Sequence, residues 1–251
     1  MHESHGVKTP LDQNQVLSKL QIPTSEEQKL PVPYQAAIGS LLYAAQATRP
    51  NITYAVNFLS QFSNNPARVH WNAVKRIMRY LRATTDATLS FSKDCSADVL
   101  GYSDSNYGGD AGDRGSTTGY VFLIGGGAVS WCSKRQPTIA TSTTEAKYMA
   151  LSAATKEAIW LNKIVKELGI ITAKPVLLYY DNNSAINLSK NSAYHGRSKH
   201  IDIQHHFVRE AVKLQHIDIQ YKTTNDMIAD FLTKNVNSAK HEMCAKMMGL
   251  N

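Results

Sequence analysis

The spacing of apolar residues changes once along the chain, near residue 96. Between residues 34 and 82 apolar side chains recur at the period of an amphipathic helix. Pro50 and Pro66 interrupt this pattern, each near the start of a new segment, where the missing N–H of proline costs least. Residues 1–32 are polar and show no period. We therefore predict an irregular lead-in over 1–32 and a segment of three helices within 33–95.

Beyond residue 96, short apolar runs bounded by turn residues alternate with helical stretches. The predicted strands cover residues 99–104, 118–124, 128–133, 176–180 and 217–221, and the predicted helices cover residues 143–168, 182–191, 203–214 and 226–234. This order predicts an α/β fold with a mixed five-stranded sheet flanked by helices. We assign residues 96–236 to this domain and 237–251 to a C-terminal tail helix.

Composition and charge narrow the class of protein. Of the 251 residues, 43% are hydrophobic, which is typical of a globular chain. Lys and Arg exceed Asp and Glu by 27 to 20, and a basic surplus favours polyanionic partners such as nucleic acid. Three widely spaced cysteines argue against a disulfide framework and a cysteine zinc site. With no apolar run of about 20 residues and no secretory signal pattern, we expect a soluble, intracellular protein without a membrane partner.

The helical stretch over 67–82 carries a basic stripe. Arg68, Lys75, Arg79 and Arg82 fall within about 60° of one another at 100° per residue, opposite the apolar side. One interpretation is the solvated face of an amphipathic helix. The other is a surface that follows nucleic-acid phosphates, since each cation near the backbone adds salt-sensitive affinity. The sequence leaves both open.

Four acidic residues stand at the ends of predicted elements. Asp104 closes the first strand, Glu145 opens the long helix, Asp181 follows the fourth strand, and Asp230 lies early in the last helix. Each has a structural interpretation: a turn residue, the Glu of a Ser-x-x-Glu capping box, a helix cap, and an acid favoured by the helix dipole.

Together, the four acids predict a nuclease site. The carboxyl ends of neighbouring parallel strands lie side by side, and ligands gather there. Carboxylates that converge repel one another unless cations neutralise them, and Mg²⁺ prefers oxygen ligands. Two such ions about 3.5–4 Å apart stabilise the attacking and leaving oxygens of a phosphodiester displacement.

The sequence around these acids resembles the ribonuclease H domain of copia-type LTR retrotransposon Pol polyproteins. The resemblance is carried by YSDSNYGGD, TTGYVFLIGGGAVSWCSKRQPTIATSTTEAKYMAL, YYDNNSAI, KHIDIQHHFVRE and IADFLTK. Residues 34–82 resemble the segment that joins the reverse transcriptase to that domain. The resemblance runs from about residue 7 to residue 236.

The resemblance implies an endonuclease that cuts the RNA strand of RNA–DNA hybrids during reverse transcription, leaving a 5′-phosphate and a 3′-hydroxyl. It implies two Mg²⁺ ions, for which Mn²⁺ could substitute. Asp104 would coordinate both ions, Glu145 and Asp181 would each coordinate one, and Asp230 would complete the coordination of the second. The reverse transcriptase portion of the parent polyprotein is an expected partner, in a cytoplasmic particle or the nucleus. The rival hypothesis is a retrotransposon-derived fragment that binds nucleic acid with little or no turnover.

Polar residues beside the acids are candidates for reading the RNA 2′-hydroxyl. From position alone these are Ser105, Asn106, Thr144 and Asn182. The chain lacks the Tyr-x-Asp-Asp motif of a polymerase, so we expect no polymerase activity from it.

Histidines offer two further hypotheses. Residues 222–225 lack the histidine that many relatives carry before the last aspartate, and His195 or His200 could stand in for it. A zinc site at His195, His200, His205 and His206 is the weaker hypothesis, because their spacing does not place them on one helical face. Trp131 and Trp160 are predicted to be core residues.

Overall fold

The structure is a computed structural model that describes residues 4–24, 30–109, 112–169, 174–183, 186 and 199–251. The lead-in is irregular apart from a 3₁₀ turn at Lys19–Gln21. The helices and strands that follow are α1 (Tyr34–Ala47), α2 (Thr53–Ser60), α3 (Arg68–Ala83), β1 (Leu100–Asn106), β2 (Thr117–Ile124), β3 (Gly127–Arg135), α4 (Thr143–Glu167), β4 (Val176–Tyr180), α5 (Lys199–Lys213), β5 (Ile217–Tyr221) and α6 (Ser238–Met247).

The predicted mixed five-stranded sheet flanked by helices is confirmed. The strand order is β3-β2-β1-β4-β5, with β1 antiparallel to β2, β2 antiparallel to β3, and β4 parallel to both of its neighbours. The tight turn at Gly125 and Gly126, both at positive φ, turns β2 back into β3. The order places β1 and β4 side by side at the centre, with their carboxyl ends at the same edge.

Two hydrophobic cores cover the two faces of the sheet. On one face, α4 presents Leu151, Ala154, Ala158 and Leu161 at helical spacing to buried side chains of β2, β4 and β5. On the other face, residues from the segment 227–236 and from α6 pack on Tyr102 and Val121. Trp131 packs at the margin of this second core.

The prediction for Trp160 was wrong, because its side chain is 54% exposed. It lies on α4 outside the stripe formed by Leu151, Ala154, Ala158 and Leu161, and therefore faces away from the sheet.

The last predicted helix, over 226–234, is instead a pair of 3₁₀ turns at Thr224–Asp226 and Ile228–Leu232. All five residues of Ile228–Leu232 are buried, so the segment has no exposed face for an amphipathic helix. Packing against the sheet decides its conformation. Most of the predicted helix over 182–191, together with His195, lies outside the described residues.

The helical segment packs directly on the sheet. Helices α1, α2 and α3 enclose a core of their own, to which Leu11 and Leu17 of the lead-in contribute. The Trp131 indole N–H donates to the Ala45 carbonyl (2.8 Å), and Asn57 Nδ2 donates to the Ser133 carbonyl (2.8 Å). These bonds join α1 and α2 to β3. In the described part of the chain, no helix is long and apolar enough to cross a membrane.

Candidate active site

Asp104 lies on the central strand β1 and is 1% exposed. Its Oδ2 accepts a 2.7 Å hydrogen bond from the Thr233 hydroxyl. Burial raises the pKa of Asp104 to about 6, and the nearby charges of Asp230 and Asp181 also raise it, while Lys234 and the Thr233 bond lower it. The site therefore contains carboxylates close enough to oppose one another's ionisation.

Gly119 allows the 3₁₀ segment to approach Asp104. Gly119 on β2 is the direct partner of Asp104 in the β1–β2 ladder. A Cβ at this position would lie 2.5 Å from Thr233 Cγ2 and 3.0 Å from Leu232 Cβ. Because glycine has no side chain, the segment carrying Asp230 and Thr233 can lie flat on the sheet beside Asp104.

Two lysines share the carboxylate of Asp230, which is 1% exposed. Lys234 Nζ lies 3.0 Å from Asp230 Oδ1 and 3.9 Å from Asp104 Oδ2. Lys240 Nζ, from α6, lies 2.5 Å from Asp230 Oδ2. Burial alone would lower the pKa of Lys234, but Asp104 and Asp230 outweigh it and raise that pKa. These contacts compensate the buried negative charge.

Asp181 directly follows β4, and its side chain is 6% exposed. Lys147 Nζ from α4 lies 2.5 Å from Asp181 Oδ1, and the Thr224 hydroxyl donates to Asp181 Oδ2 (3.3 Å). The neighbouring Tyr180 hydroxyl donates to the Lys147 carbonyl. The pKa of Tyr180 is well above its ordinary value because of burial and the charges of Asp104 and Asp181.

Glu145 lies in the first turn of α4 and is 5% exposed. The Ser142 hydroxyl caps the helix by accepting from the Glu145 amide (3.1 Å). In a capping box Glu145 would accept from the N-cap amide, but here its Oε2 accepts from the Thr141 amide (2.7 Å) and hydroxyl (2.5 Å), one residue before the cap. These bonds fix Glu145 at the start of α4, which packs across β1 and β2.

The donor chemistry of the site fits a hard divalent cation. Asp104, Asp181 and Asp230 offer only oxygen, their side chains are nearly inaccessible, and their charges act on one another. Within the described residues, however, no three His, Cys, Asp or Glu side chains are arranged closely enough to hold a metal ion together. Lysine ammonium groups contact the carboxylate oxygens that a cation would need.

The candidate nucleic-acid residues beside the acids lie in different settings. Asn106, two positions after Asp104 on β1, is half-buried on the same side of the strand. Ser105 is 6% exposed and points to the opposite side of the sheet from Asp104. Thr144 and Asn182 are half-buried next to Glu145 and Asp181.

The basic stripe lies on α3, which packs against α1 and α2. Arg68 is exposed and Lys75 is half-buried. Arg79 Nε donates to the His5 carbonyl (2.7 Å), and Arg82 Nη1 donates to the Ser4 carbonyl (3.0 Å). Half of the stripe therefore holds the lead-in against α3.

The site contains functional candidates that the sequence reasoning missed: Lys147, Lys234, Lys240 and Thr233. Lys234 follows Asp230 by four positions, so helical spacing could have indicated their pairing. Lys147 comes two positions after Glu145, and nothing in that spacing predicts its contact with Asp181. No local signal predicts Lys240, because it belongs to a separate helix.

Two of the histidines considered for zinc have other contacts. The His205 ring lies 3.7 Å from the Tyr148 ring, centroid to centroid, and His206 Nδ1 lies 3.3 Å from Arg209 Nη2. The side chain of His200 lies outside the described residues.

The comparison with protein families found no matching family model. The Pol polyprotein from transposon TNT 1-94 of Nicotiana tabacum, described as retrovirus-related, is 46% identical over 255 residues, covering 100% of this chain and 19% of the relative. The corresponding polyprotein from transposon RE2 of Arabidopsis thaliana is 38% identical over 224 residues, covering 88% and 15%. The chain thus spans about a fifth or less of these relatives.

Among solved structures, an RNase H1 isolated from compost, LC11-RNase H1, superposes with a TM-score of 0.42 at 14% sequence identity. The superposition covers 55% of this chain and 93% of the RNase H1 chain.

The match to the TNT 1-94 polyprotein covers the whole chain, including the helical segment, the sheet and the segments that carry the four acids. The chain therefore belongs to the family of copia-type retrotransposon Pol polyproteins, and corresponds to one portion of such a polyprotein.

Proposed function

We propose that this chain hydrolyses the RNA strand of an RNA–DNA hybrid. The observation that supports this most is the set of buried carboxylates of Asp104, Asp181 and Asp230 around the carboxyl ends of β1 and β4. A folded protein rarely collects buried like charges unless they have a function. In this family of polyproteins, phosphodiester hydrolysis during reverse transcription is the function that such a set would serve.

Asp104, Glu145, Asp181 and Asp230 would hold two Mg²⁺ ions, with Mn²⁺ able to substitute. When bound, the ions would supply charge stabilisation for the attacking and leaving oxygens of the phosphodiester. The protein contributes orientation. Thr233 donates to Asp104, Thr224 to Asp181, and Thr141 to Glu145, so three of the four carboxylates are oriented by a threonine hydroxyl.

Hybrid recognition would involve groups that reach the minor groove, where the RNA strand exposes its 2′-hydroxyls. Asn106, Thr144 and Asn182 are better placed than Ser105, since each of the three is half-buried near an acid while Ser105 is buried on the opposite side of the sheet. Replacing Asn182 by Ala should weaken binding to the hybrid but not to a DNA duplex. Unchanged hybrid affinity would remove Asn182 from the candidates.

The alternative function is nucleic-acid binding with little or no turnover. The observation that favours it is the pairing of lysines with Asp181 and Asp230, since in this arrangement the acids are neutralised without a metal. The rest of a parent polyprotein, including its reverse transcriptase portion, would then supply the hydrolytic activity or the substrate binding.

The deciding experiment is Mg²⁺-dependent cleavage of a labelled RNA–DNA hybrid, with double-stranded RNA and double-stranded DNA as substrate controls. Asp181→Asn should abolish cleavage. Asp218→Asn is the matched control, because Asp218 lies on the adjacent strand β5 and its carboxylate accepts a hydrogen bond from Gln220 instead of entering the site.

Cleavage of the RNA strand alone, lost in Asp181→Asn and retained in Asp218→Asn, would support the proposed enzyme. Folded protein that binds the hybrid without cutting it would favour the alternative. Cleavage that survives Asp181→Asn would exclude the proposed site.

A further inference from the structure

Lys240 reaches the candidate active site from outside the sheet. It lies in the first turn of α6, where its amide donates to the N-cap side chain of Asn237 (2.8 Å). Its ammonium lies 2.5 Å from Asp230 Oδ2 and also donates to the Thr224 carbonyl. The Lys240 side chain is 19% exposed and that of Asp230 is 2% exposed, so water screens this contact only partly.

Helix α6 holds Lys240 in place through contacts with the helical segment. His241, the next residue, is 5% exposed, and its Nε2 donates to the Asn51 carbonyl (3.1 Å). Its ring also packs edge-on against Tyr80 of α3 and Phe231. At the other end of α6, the Asn251 carbonyl accepts from the Thr88 amide (2.8 Å). The position of the Lys240 ammonium therefore depends on how the helical segment packs.

Both carboxylate oxygens of Asp230 are engaged by ammonium groups. Lys234 lies on Oδ1 and Lys240 on Oδ2. Lys234 is also close to Asp104, so its charge stabilises both carboxylates. Of the two carboxylates, Lys240 contacts only that of Asp230, and it also donates to the Thr224 carbonyl. A divalent cation that takes an oxygen of Asp230 must therefore displace a lysine or share the carboxylate with one.

We propose that Lys240 competes with the divalent cation for Asp230, so that the packing of α6 sets the metal affinity of the site. This inference rests on the proposed function, because it takes Asp230 as a metal ligand. Lys240 is a positioning residue in this scheme. It acts through the carboxylate of Asp230, and a cation that takes Asp230 Oδ2 alone displaces the Lys240 ammonium from that oxygen.

The test is Mn²⁺ titration of the full chain without nucleic acid, following the electron paramagnetic resonance signal of free Mn²⁺. Lys240→Met should bind Mn²⁺ about tenfold more tightly than the unmodified chain, because it removes a competing charge from a poorly screened position. Lys240→Arg keeps the charge and should stay near the unmodified chain. Lys246→Met is the matched control, since Lys246 lies on the same helix and pairs with the exposed Glu242.

A second readout separates competition from a structural role. Without metal, Lys240→Met should unfold at lower urea concentration, because Asp230 loses a counterion. Competition thus predicts that Lys240→Met lowers stability and tightens Mn²⁺ binding. If Lys240 had only a structural role, its replacement would lower both the stability and the Mn²⁺ affinity.

Equal Mn²⁺ affinity in Lys240→Met and the unmodified chain would overturn the inference and leave the proposed function standing. An equal gain in Lys246→Met would overturn it too, since net charge alone would then explain the effect. No Mn²⁺ binding in any variant would overturn both the inference and the proposed metal site.

Discussion

The Thr233 hydroxyl donates a 2.7 Å hydrogen bond to Asp104, joining residues that are 129 positions apart in the chain. Both residues are essentially inaccessible to water, with exposures of 0% and 1%. In such a place a carboxylate oxygen that loses its donor has no water to replace it.

Thr233→Val should therefore lower the free energy of unfolding by about 1–3 kcal/mol, the cost of leaving a buried polar group unsatisfied. Urea unfolding at pH 7 measures this. Thr155→Val is the control, because the buried Thr155 hydroxyl donates only to the Leu151 carbonyl of its own helix and its loss should cost much less. Equal losses in the two variants would contradict the role given to Thr233.

Stability should depend on pH through Asp104. Its pKa is about 6 in the folded chain, above the ordinary value of 3.8, so between these values the folded state holds a proton that the unfolded state releases. Stability from this group is therefore greatest below pH 4 and is lost as pH rises through 6. Asp104→Asn lacks this dependence.

The measurement is the difference in unfolding free energy between the unmodified chain and Asp104→Asn, from pH 4 to pH 8 without divalent cations. The unmodified chain should lose unfolding free energy relative to Asp104→Asn between about pH 4 and pH 6, and the difference should stay constant above pH 7. A difference that moves in the opposite direction would mean that the folded pKa of Asp104 lies below its unfolded value.

Gly119→Ala should disturb the site more than the rest of the fold. The added Cβ would lie 2.5 Å from Thr233 Cγ2 and 3.2 Å from the Ala229 carbonyl oxygen, so the segment carrying Asp230 must shift. We expect a loss of about 1–3 kcal/mol in unfolding free energy, typical of overpacking, and a larger proportional loss of hybrid cleavage.

The matched control for this change is Gly39→Ala. Gly39 lies within α1, and a Cβ there would meet nothing within 4 Å. Because alanine is the better helix former, Gly39→Ala should stabilise the chain by up to about 1 kcal/mol. If Gly119→Ala were as stable and as active as Gly39→Ala, the close approach of the segment carrying Asp230 to Gly119 would not matter for stability or cleavage.

The contact between the helical segment and the sheet should contribute to stability through Trp131. Trp131→Phe removes the donor to the Ala45 carbonyl and should cost about 1–3 kcal/mol of unfolding free energy. Trp160→Phe is the control, since Trp160 is 54% exposed and its replacement should change stability little. A loss confined to Trp160→Phe would contradict the described packing.

The half of the basic stripe that does not hold the lead-in, Arg68 and Lys75, should act through phosphate contacts. Arg68→Ala and Lys75→Ala should each reduce the salt dependence of hybrid binding, lowering the slope of log K against log salt by about 1. Arg76→Ala on the same helix is the control, because its guanidinium pairs with Asp12 and Thr9 in the lead-in. Equal slopes in all variants would leave the stripe as a solvated face.

The sequence by itself determined the strands, the principal helices and the positions of Asp104, Glu145 and Asp181 near the ends of these elements, whereas the helix expected to carry Asp230 is a 3₁₀ segment. Apolar spacing is a local property, and it predicted β4 at 176–180 and β5 at 217–221 with the bounds that the structure has. The parallel pairing of β1 with β4 then follows from general rules of α/β folds, which explains why Asp104 and Asp181 could be placed at one edge.

Only the tertiary structure decided how the acids are neutralised and what holds the site together. Ile228–Leu232 is a buried 3₁₀ segment that lies against Gly119, and local propensity contains no information about that contact. Lys240 meets Asp230 because α6 is anchored on the helical segment through His241. Buried ion pairs and close backbone approaches depend on distances between elements, and those distances are set by packing and not by residue order.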